Sequence, residues 1–140
     1  MGKNTLNSTW SSPLIEAAEP ETSSEETSTL EADPAYRALL VAVWNRNEST
    51  ILERAKTLRA TTASLLEGMA DVRLAEQAES DAHKLSGCLG SFGLDEASRV
   101  AQEIERILRS PSWTERESRR QIAVLADSLE QNILLHRPRE

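Results

Sequence analysis

Apolar side chains recur every three or four residues along most of the chain after residue 33, and no stretch shows the alternation typical of a β-strand. The clearest example steps through Leu94, Ala97, Ala101, Ile104 and Leu108. The other three stripes consist of Ile51, Ala55, Leu58, Thr62, Leu65 and Met69; of Leu74, Ala78, Ala82, Leu85, Leu89 and Phe92; and of Ile122, Leu125, Leu129 and Ile133. Because each helix has one apolar stripe and the links are short, the sequence predicts an all-α fold, an antiparallel four-helix up-and-down bundle.

Short polar segments indicate where these helices begin and end. Asp33-Pro34 suits the start of a short additional N-terminal helix, since Asp is a good N-cap and Pro fits the first helical position. The polar run Asn45–Asn47 should interrupt this helix, and Thr50 with Glu53 forms a capping box that would start the next one. Asp71 is the predicted N-cap of the following helix.

The first 32 residues differ from the rest in composition. They are rich in Ser, Thr and Glu, and Lys3 is their only basic residue. Such a segment cannot bury enough apolar surface to offset the entropy lost on ordering. We therefore predict a disordered acidic tail over residues 1–32 and a folded helical domain over residues 33–137.

Charge and cysteine content narrow the classes of function. The formal net charge of −7 argues against a nucleic-acid-binding surface, which would need a basic patch. No apolar run approaches the roughly 18 residues that a membrane span requires, and the N-terminus lacks a secretory pattern. The single cysteine, Cys88, permits no internal disulfide, which is consistent with a cytoplasmic location. We expect no membrane partner and a monomer.

His83 lies on the face of its predicted helix that is opposite the apolar stripe. Its neighbours on that outer face are Glu76, Glu79, Ser80, Ser86, Gly87 and Gly90. Glycine inside a helix costs about 1 kcal/mol relative to alanine, so two glycines beside an exposed histidine need an explanation. Either they let another protein approach His83, or they allow close packing within this protein. The spacing alone leaves both interpretations open.

Motifs of autonomous enzymes are absent from the sequence. It contains no P-loop, no His-Glu-x-x-His and no nucleophile elbow, so ATP binding is not expected. The remaining candidate is the imidazole of His83, which as a neutral ring can accept a phosphoryl group on a nitrogen. Glu79, one turn earlier, could accept a hydrogen bond from one ring nitrogen and leave the other free. The alternative is that Glu79 belongs to a solvated acidic face.

The segment from His83 to Gly87, followed by Gly93-Leu94, resembles the core of the histidine-containing phosphotransfer (HPt) domain. That core reads His-x-Leu-Lys-Gly, with a further Gly after a short gap. The positions that match are His83, Leu85, Gly87 and Gly93. Ser86 stands where the family usually carries lysine, and Lys84 directly follows the histidine. The resemblance covers about residues 35 to 136.

This resemblance implies a function in a two-component phosphorelay. His83 would carry a phosphoryl group to and from aspartates of response-regulator receiver domains, and a hybrid histidine kinase is a further candidate partner. The receiver would supply Mg²⁺, so no cofactor or metal is expected on this chain. The chain would be a phosphocarrier rather than an autonomous kinase. Lys84 and Ser86 are candidate contacts for the phosphoryl oxygens. The predicted docking face consists of Glu76, Glu79, Ser80, Gly87 and Gly90.

Two alternatives to phosphotransfer stay open at this point. The first is a phosphorylation-independent helical adaptor that binds a receiver or kinase domain through the same face of the histidine helix. The second is a purely structural helical module, which would leave the exposed histidine and glycines unused.

Overall fold

The computed structural model describes residues 33–139, and residues 40–139 form one compact unit. The helices are α1 (Pro34–Glu67), α2 (Val72–Ser91), α3 (Asp95–Arg109) and α4 (Arg116–His136), with a 3₁₀ turn at Pro111–Thr114. Since residues 33–139 contain four α-helices and no strand, the all-α helical prediction is confirmed for them. None of the four helices is both long enough and apolar enough to cross a bilayer. The predicted disordered tail, residues 1–32, lies outside the described residues.

The predicted break near the start of α1 is wrong. The helix continues through Asn45–Asn47, so the described chain has no separate short N-terminal helix. The Asn47 side-chain amide donates to the Val43 carbonyl oxygen one turn back, at 2.8 Å. This hydrogen bond is compatible with a continuous helix. Trp44 and Ile51, two turns apart, are 0% and 2% exposed. Burial of this continuous stripe outweighs the weak helix propensity of three polar residues.

The core of the 40–139 unit is built from the predicted stripes together with Trp44, which precedes them. Its fully buried large side chains include Trp44, Leu58, Leu65, Leu85, Leu89, Ile104, Ile122, Leu129 and Ile133. The rings of Trp44 and Phe92 meet edge to face, with centroids 5.1 Å apart. Met69, predicted in the α1 stripe, is instead 87% exposed, because α1 ends at Glu67 and the helical period stops there.

Alanines make up much of the buried side of α2 and of α3. The four with no exposed surface are Ala78 and Ala82 of α2 and Ala97 and Ala101 of α3. Small side chains at a contact let two helices approach closely. The Ser98 hydroxyl of α3 accordingly donates to the Ser86 backbone carbonyl oxygen of α2 at 2.8 Å. This close approach sets which polar groups on the two helices can meet.

Caps fix the helix ends that flank the outer face of α2. Asp71 is the N-cap, as predicted, and its carboxylate accepts from the backbone N–H groups of Arg73 and Leu74. At the other end Gly93 has φ +79°, a left-handed conformation that glycine adopts without a steric penalty. The end of α1 is held differently: the buried guanidinium of Arg119 in α4 donates to the carbonyl oxygen of Leu65, at 2.8 Å, and to that of Gly68, just after the helix, at 3.1 Å.

Candidate functional site

His83 stands on the outer face of α2, with 68% of its side chain exposed. The helix is held in this rotation by the buried residues on either side, Ala82 and Leu85, which are 0% and 1% exposed. The imidazole is therefore accessible to another molecule.

A carboxylate from the neighbouring helix orients the imidazole. Glu105 of α3 places Oε2 3.0 Å from Nδ1 of His83, and only 12% of the Glu105 side chain is exposed. An ionised carboxylate only accepts hydrogen bonds, so this contact assigns the proton of the neutral ring to Nδ1. The lone pair of Nε2 is left available for attack.

Glu79 does not accept the hydrogen bond that the sequence suggested for it. It accepts instead from Nε of Arg109, at 2.6 Å. A terminal nitrogen of Arg109 also lies 2.9 Å from Oε2 of Glu105. The hydrogen bond to Glu79, and then the charge of Glu105, raise the pKa of Arg109 above its usual value. Four side chains thus form a chain, His83–Glu105–Arg109–Glu79, that connects α2 and α3.

The two predicted phosphoryl contacts differ in accessibility. Ser86 is only 9% exposed, and its hydroxyl donates to the His83 carbonyl oxygen at 2.9 Å. This placement does not favour direct contact with a group on the imidazole. Lys84 is exposed beside His83. Its charge also lies near Asp81, where burial raises the pKa of the carboxyl despite the opposing charges of Arg54 and Lys84.

The two glycines of this face are not required by close packing. Among residues 33–139, a Cβ atom added at Gly87 would meet no atom within 4 Å, and one added at Gly90 would meet only the Ser98 hydroxyl at 3.5 Å, an ordinary contact. Glu76 and Ser80 are exposed on the same side of α2. The geometry therefore favours the interpretation that the glycines leave space for another molecule.

Other reactive groups add nothing to this site. Between residues 33 and 139 no three His, Cys, Asp or Glu side chains lie close enough together to hold a metal ion. Cys88 is a half-buried free thiol whose pKa is raised by burial, so it stays protonated. The chemistry available on this face is that of one oriented imidazole.

Glu105 and Arg109 were not identified from the sequence. Glu105 is 22 residues from His83, and their contact depends on which sides of α2 and α3 face each other. One signal was present: Glu105 directly follows the core position Ile104 and precedes Arg109 by four residues, the spacing of an ion pair on a helix.

Comparison with protein families finds one match that covers the site. The family model of the Hpt domain matches residues 49–134, which is more than half of the chain and includes His83, Glu105 and Arg109. No curated protein and no solved structure matches the chain.

Proposed function

This chain belongs to the family of Hpt domains, and on that premise we propose that it carries a phosphoryl group on His83 between aspartates of response-regulator receiver domains. Membership implies a phosphotransfer role in two-component systems; the acceptor residue, the aspartate partners and the relay are our proposal. The observation that carries it is the contact of His83 Nδ1 with Glu105 at 3.0 Å on an otherwise exposed imidazole. A hybrid histidine kinase is a second proposed partner.

The proposed reaction uses the lone pair of Nε2. This atom attacks the phosphorus of an aspartyl phosphate on the receiver, and the N–P bond forms as the bond from phosphorus to the aspartate oxygen breaks. The aspartate leaves as a carboxylate, and transfer to a second receiver reverses these steps. The proton stays on Nδ1, where the Glu105 carboxylate stabilises the positive charge that the phosphorylated ring acquires. Mg²⁺ and a lysine of the receiver offset charge on the transferring group.

This chain contributes mainly by positioning the nucleophile. His83 is held on a helix whose opposite face is buried, and Glu105 fixes the ring from the next helix. Holding a nucleophile and its target in reacting geometry removes a large part of the entropic barrier. Lys84, exposed beside the ring, is the proposed electrostatic contact for the phosphoryl oxygens.

We propose that the receiver docks over the outer face of α2. The open space above Gly87 and Gly90 supports this placement. Glu76 and Ser80, exposed earlier on the same face, would lie at the edge of the interface, and Glu79 would border it through its ion pair with Arg109.

We also propose the antiparallel up-and-down arrangement of the four helices, and a monomer that works in the cytoplasm. The supporting interhelical contacts are Glu48 with Arg137, Arg59 with Glu130, Leu65 with Arg119, Glu79 with Arg109, His83 with Glu105, and Ser86 with Ser98. Between α1 and α4, and again between α2 and α3, residue numbers rise along one helix as they fall along the other. Short connections favour the same arrangement.

Incubation of the full chain with a phosphorylated receiver domain and Mg²⁺ tests the proposed function. We expect acid-labile, base-stable phosphate on His83, attached at Nε2 because Nδ1 is engaged. His83→Gln should abolish labelling and change stability by no more than about 0.5 kcal/mol, since the side chain is exposed. His136→Gln is the control, because His136 is also exposed on a helix. Tight receiver binding without labelling would contradict the proposal and favour the adaptor.

A further inference from the structure

Arg109 connects the two carboxylates that flank the histidine site. Its Nε lies 2.6 Å from Glu79 of α2, and a terminal nitrogen lies 2.9 Å from Glu105 of its own helix. We propose that Arg109 is a positioning residue that supplies the positive charge for Glu105 and thereby keeps His83 neutral and able to attack. This inference rests on the proposed function of His83 as phosphoacceptor.

The geometry at Glu105 carries the first step. The single oxygen Oε2 receives both the Nδ1–H of His83, at 3.0 Å, and the guanidinium of Arg109, at 2.9 Å. A carboxylate that is only 12% exposed requires a cationic or hydrogen-bonding partner. Two groups here can provide the cation: a guanidinium, which is always charged, and an imidazole, which titrates near neutral pH. Because Arg109 provides it, the ring can donate its hydrogen bond while uncharged.

The consequence of losing Arg109 follows from the same contact. Glu105 would keep its negative charge next to His83, with no other cation of the described residues paired to it. A nearby negative charge favours the protonated imidazole. An imidazolium has protons on both nitrogens and therefore no lone pair on Nε2 with which to attack phosphorus.

Glu79 acts on the site through Arg109. The Arg109 side chain is 61% exposed and long, so it needs a second contact to stay over Glu105. The hydrogen bond from Nε to Glu79 provides that contact from the opposite helix. Glu79 therefore holds the guanidinium in place, which explains why a carboxylate lies on the same face of α2 as His83.

Five charged side chains of the described residues lie on the parts of α2 and α3 next to the ring. On α2 they are Glu76 and Lys84, in addition to Glu79; on α3 they are Glu105 and Arg109. Among the described residues, the polar contact of the His83 side chain is made with α3, through Oε2 of Glu105. Arg106, the neighbouring arginine of α3, pairs with Glu103 instead. Arg106 therefore provides a matched control for a change of charge on the same helix.

The experiment compares the full chain with Arg109→Gln, Arg109→Lys and Arg106→Gln. The rate of His83 labelling by phosphoramidate is measured across the pH range in which histidine titrates, and the His83 ring protons are titrated in parallel by NMR. In Arg109→Gln we expect the midpoint of the pH–rate profile and the midpoint of the NMR titration to rise by about half a pH unit to one pH unit. Labelling should be slowed roughly threefold to tenfold on the acidic side. The plateau rate of Arg109→Gln at high pH should be unchanged. Arg109→Lys should bring both midpoints most of the way back to the wild-type values, and Arg106→Gln should match the wild type.

Two results would overturn this role of Arg109. One is a midpoint in Arg109→Gln that equals those of the wild type and Arg106→Gln. The other is a lower plateau with an unmoved midpoint, which would mean that Arg109 only maintains the fold of the site. A wild-type protein that took no phosphate at any pH would refute the proposed function instead, and the NMR titration would still decide whether Arg109 controls the charge of the ring.

Discussion

Substitution of Gly87 separates docking of a partner from packing within the protein. A Cβ atom at this position meets no atom of the described residues within 4 Å, and the backbone is that of an ordinary helix interior. Gly87→Ala should therefore gain helix propensity without losing or adding a packing contact. We expect the free energy of unfolding to rise by about 0.5–1 kcal/mol, which corresponds to roughly 2–8 °C in Tm for a domain of this size.

The larger substitution tests access to His83. Gly87 is four residues after His83, one turn along the same face, so a leucine there projects into the space that a receiver would occupy. Gly87→Leu should stay at least as stable as the wild type, since leucine is a good helix former. Transfer from a phosphorylated receiver should fall roughly tenfold to hundredfold, because small displacements of reacting groups are costly. Labelling by phosphoramidate, which needs no docking, should not change.

The assay combines thermal melting, receiver affinity by titration and the two labelling rates. Ala60→Leu, at an exposed position of α1, controls for the added apolar surface. The access argument would be refuted by a Gly87→Leu protein that is destabilised by more than about 1 kcal/mol, the range expected for overpacking, yet exchanges phosphate normally with its receiver. Gly90→Leu is a weaker test, because Ser98 already lies 3.5 Å from the added Cβ.

Four further changes test the fold and the predicted tail. Gly93→Ala should lower the free energy of unfolding by about 1–2 kcal/mol in denaturant titrations, because φ is +79° there; a neutral result would contradict the left-handed conformation. Arg119→Ala should lower it by roughly 1–3 kcal/mol, since two carbonyl oxygens at the end of α1, those of Leu65 and Gly68, lose a charged donor. Burial raises the pKa of Asp81, so the folded protein holds that proton more tightly than the unfolded chain and loses stability as pH rises above the usual carboxyl value of 3.8. Asp81→Asn should consequently melt higher near pH 7, and this advantage should shrink on acidification; an advantage that does not change with pH would contradict the raised pKa. Deletion of residues 1–30 should leave Tm within a few degrees and the transfer rate within tenfold; a larger loss of transfer would make the tail part of the docking surface.

Periodicity predicted most of the helical core but not the continuity of α1. The stripe from Leu94 to Leu108 and the cap at Asp71 are local patterns, and both appear in the structure. The break expected at Asn45–Asn47 also rested on a local property, helix propensity. It fails because the burial of Trp44 depends on residues distant in the sequence, including Phe92.

Periodicity predicted the exposure of His83 but not its hydrogen-bond partner. The exposure of His83 follows from one helical projection, whereas its partner Glu105 depends on how two helices face each other. Ser86 shows the same limit: its projection placed it on the outer face, but it is 9% exposed and its backbone carbonyl oxygen accepts from Ser98 of α3. A projection of one helix separates its apolar face from its polar face, but it cannot show which polar residues a neighbouring helix covers.

The fully buried alanines of α2 and α3 make the reactivity of a surface group depend on the volume of the core. His83 and Glu105 are 3.0 Å apart, and a hydrogen bond weakens beyond about 3.5 Å, so the two helices have roughly half an ångström of tolerance. Ala82 and Ala101 are fully buried, so valine at either position adds two methyl groups to a close-packed interior, and a shift of either helix would move His83 away from Glu105. The ring would then lose the acceptor that selects its tautomer. The volume of side chains deep in the core thereby decides whether an exposed nucleophile keeps its orientation.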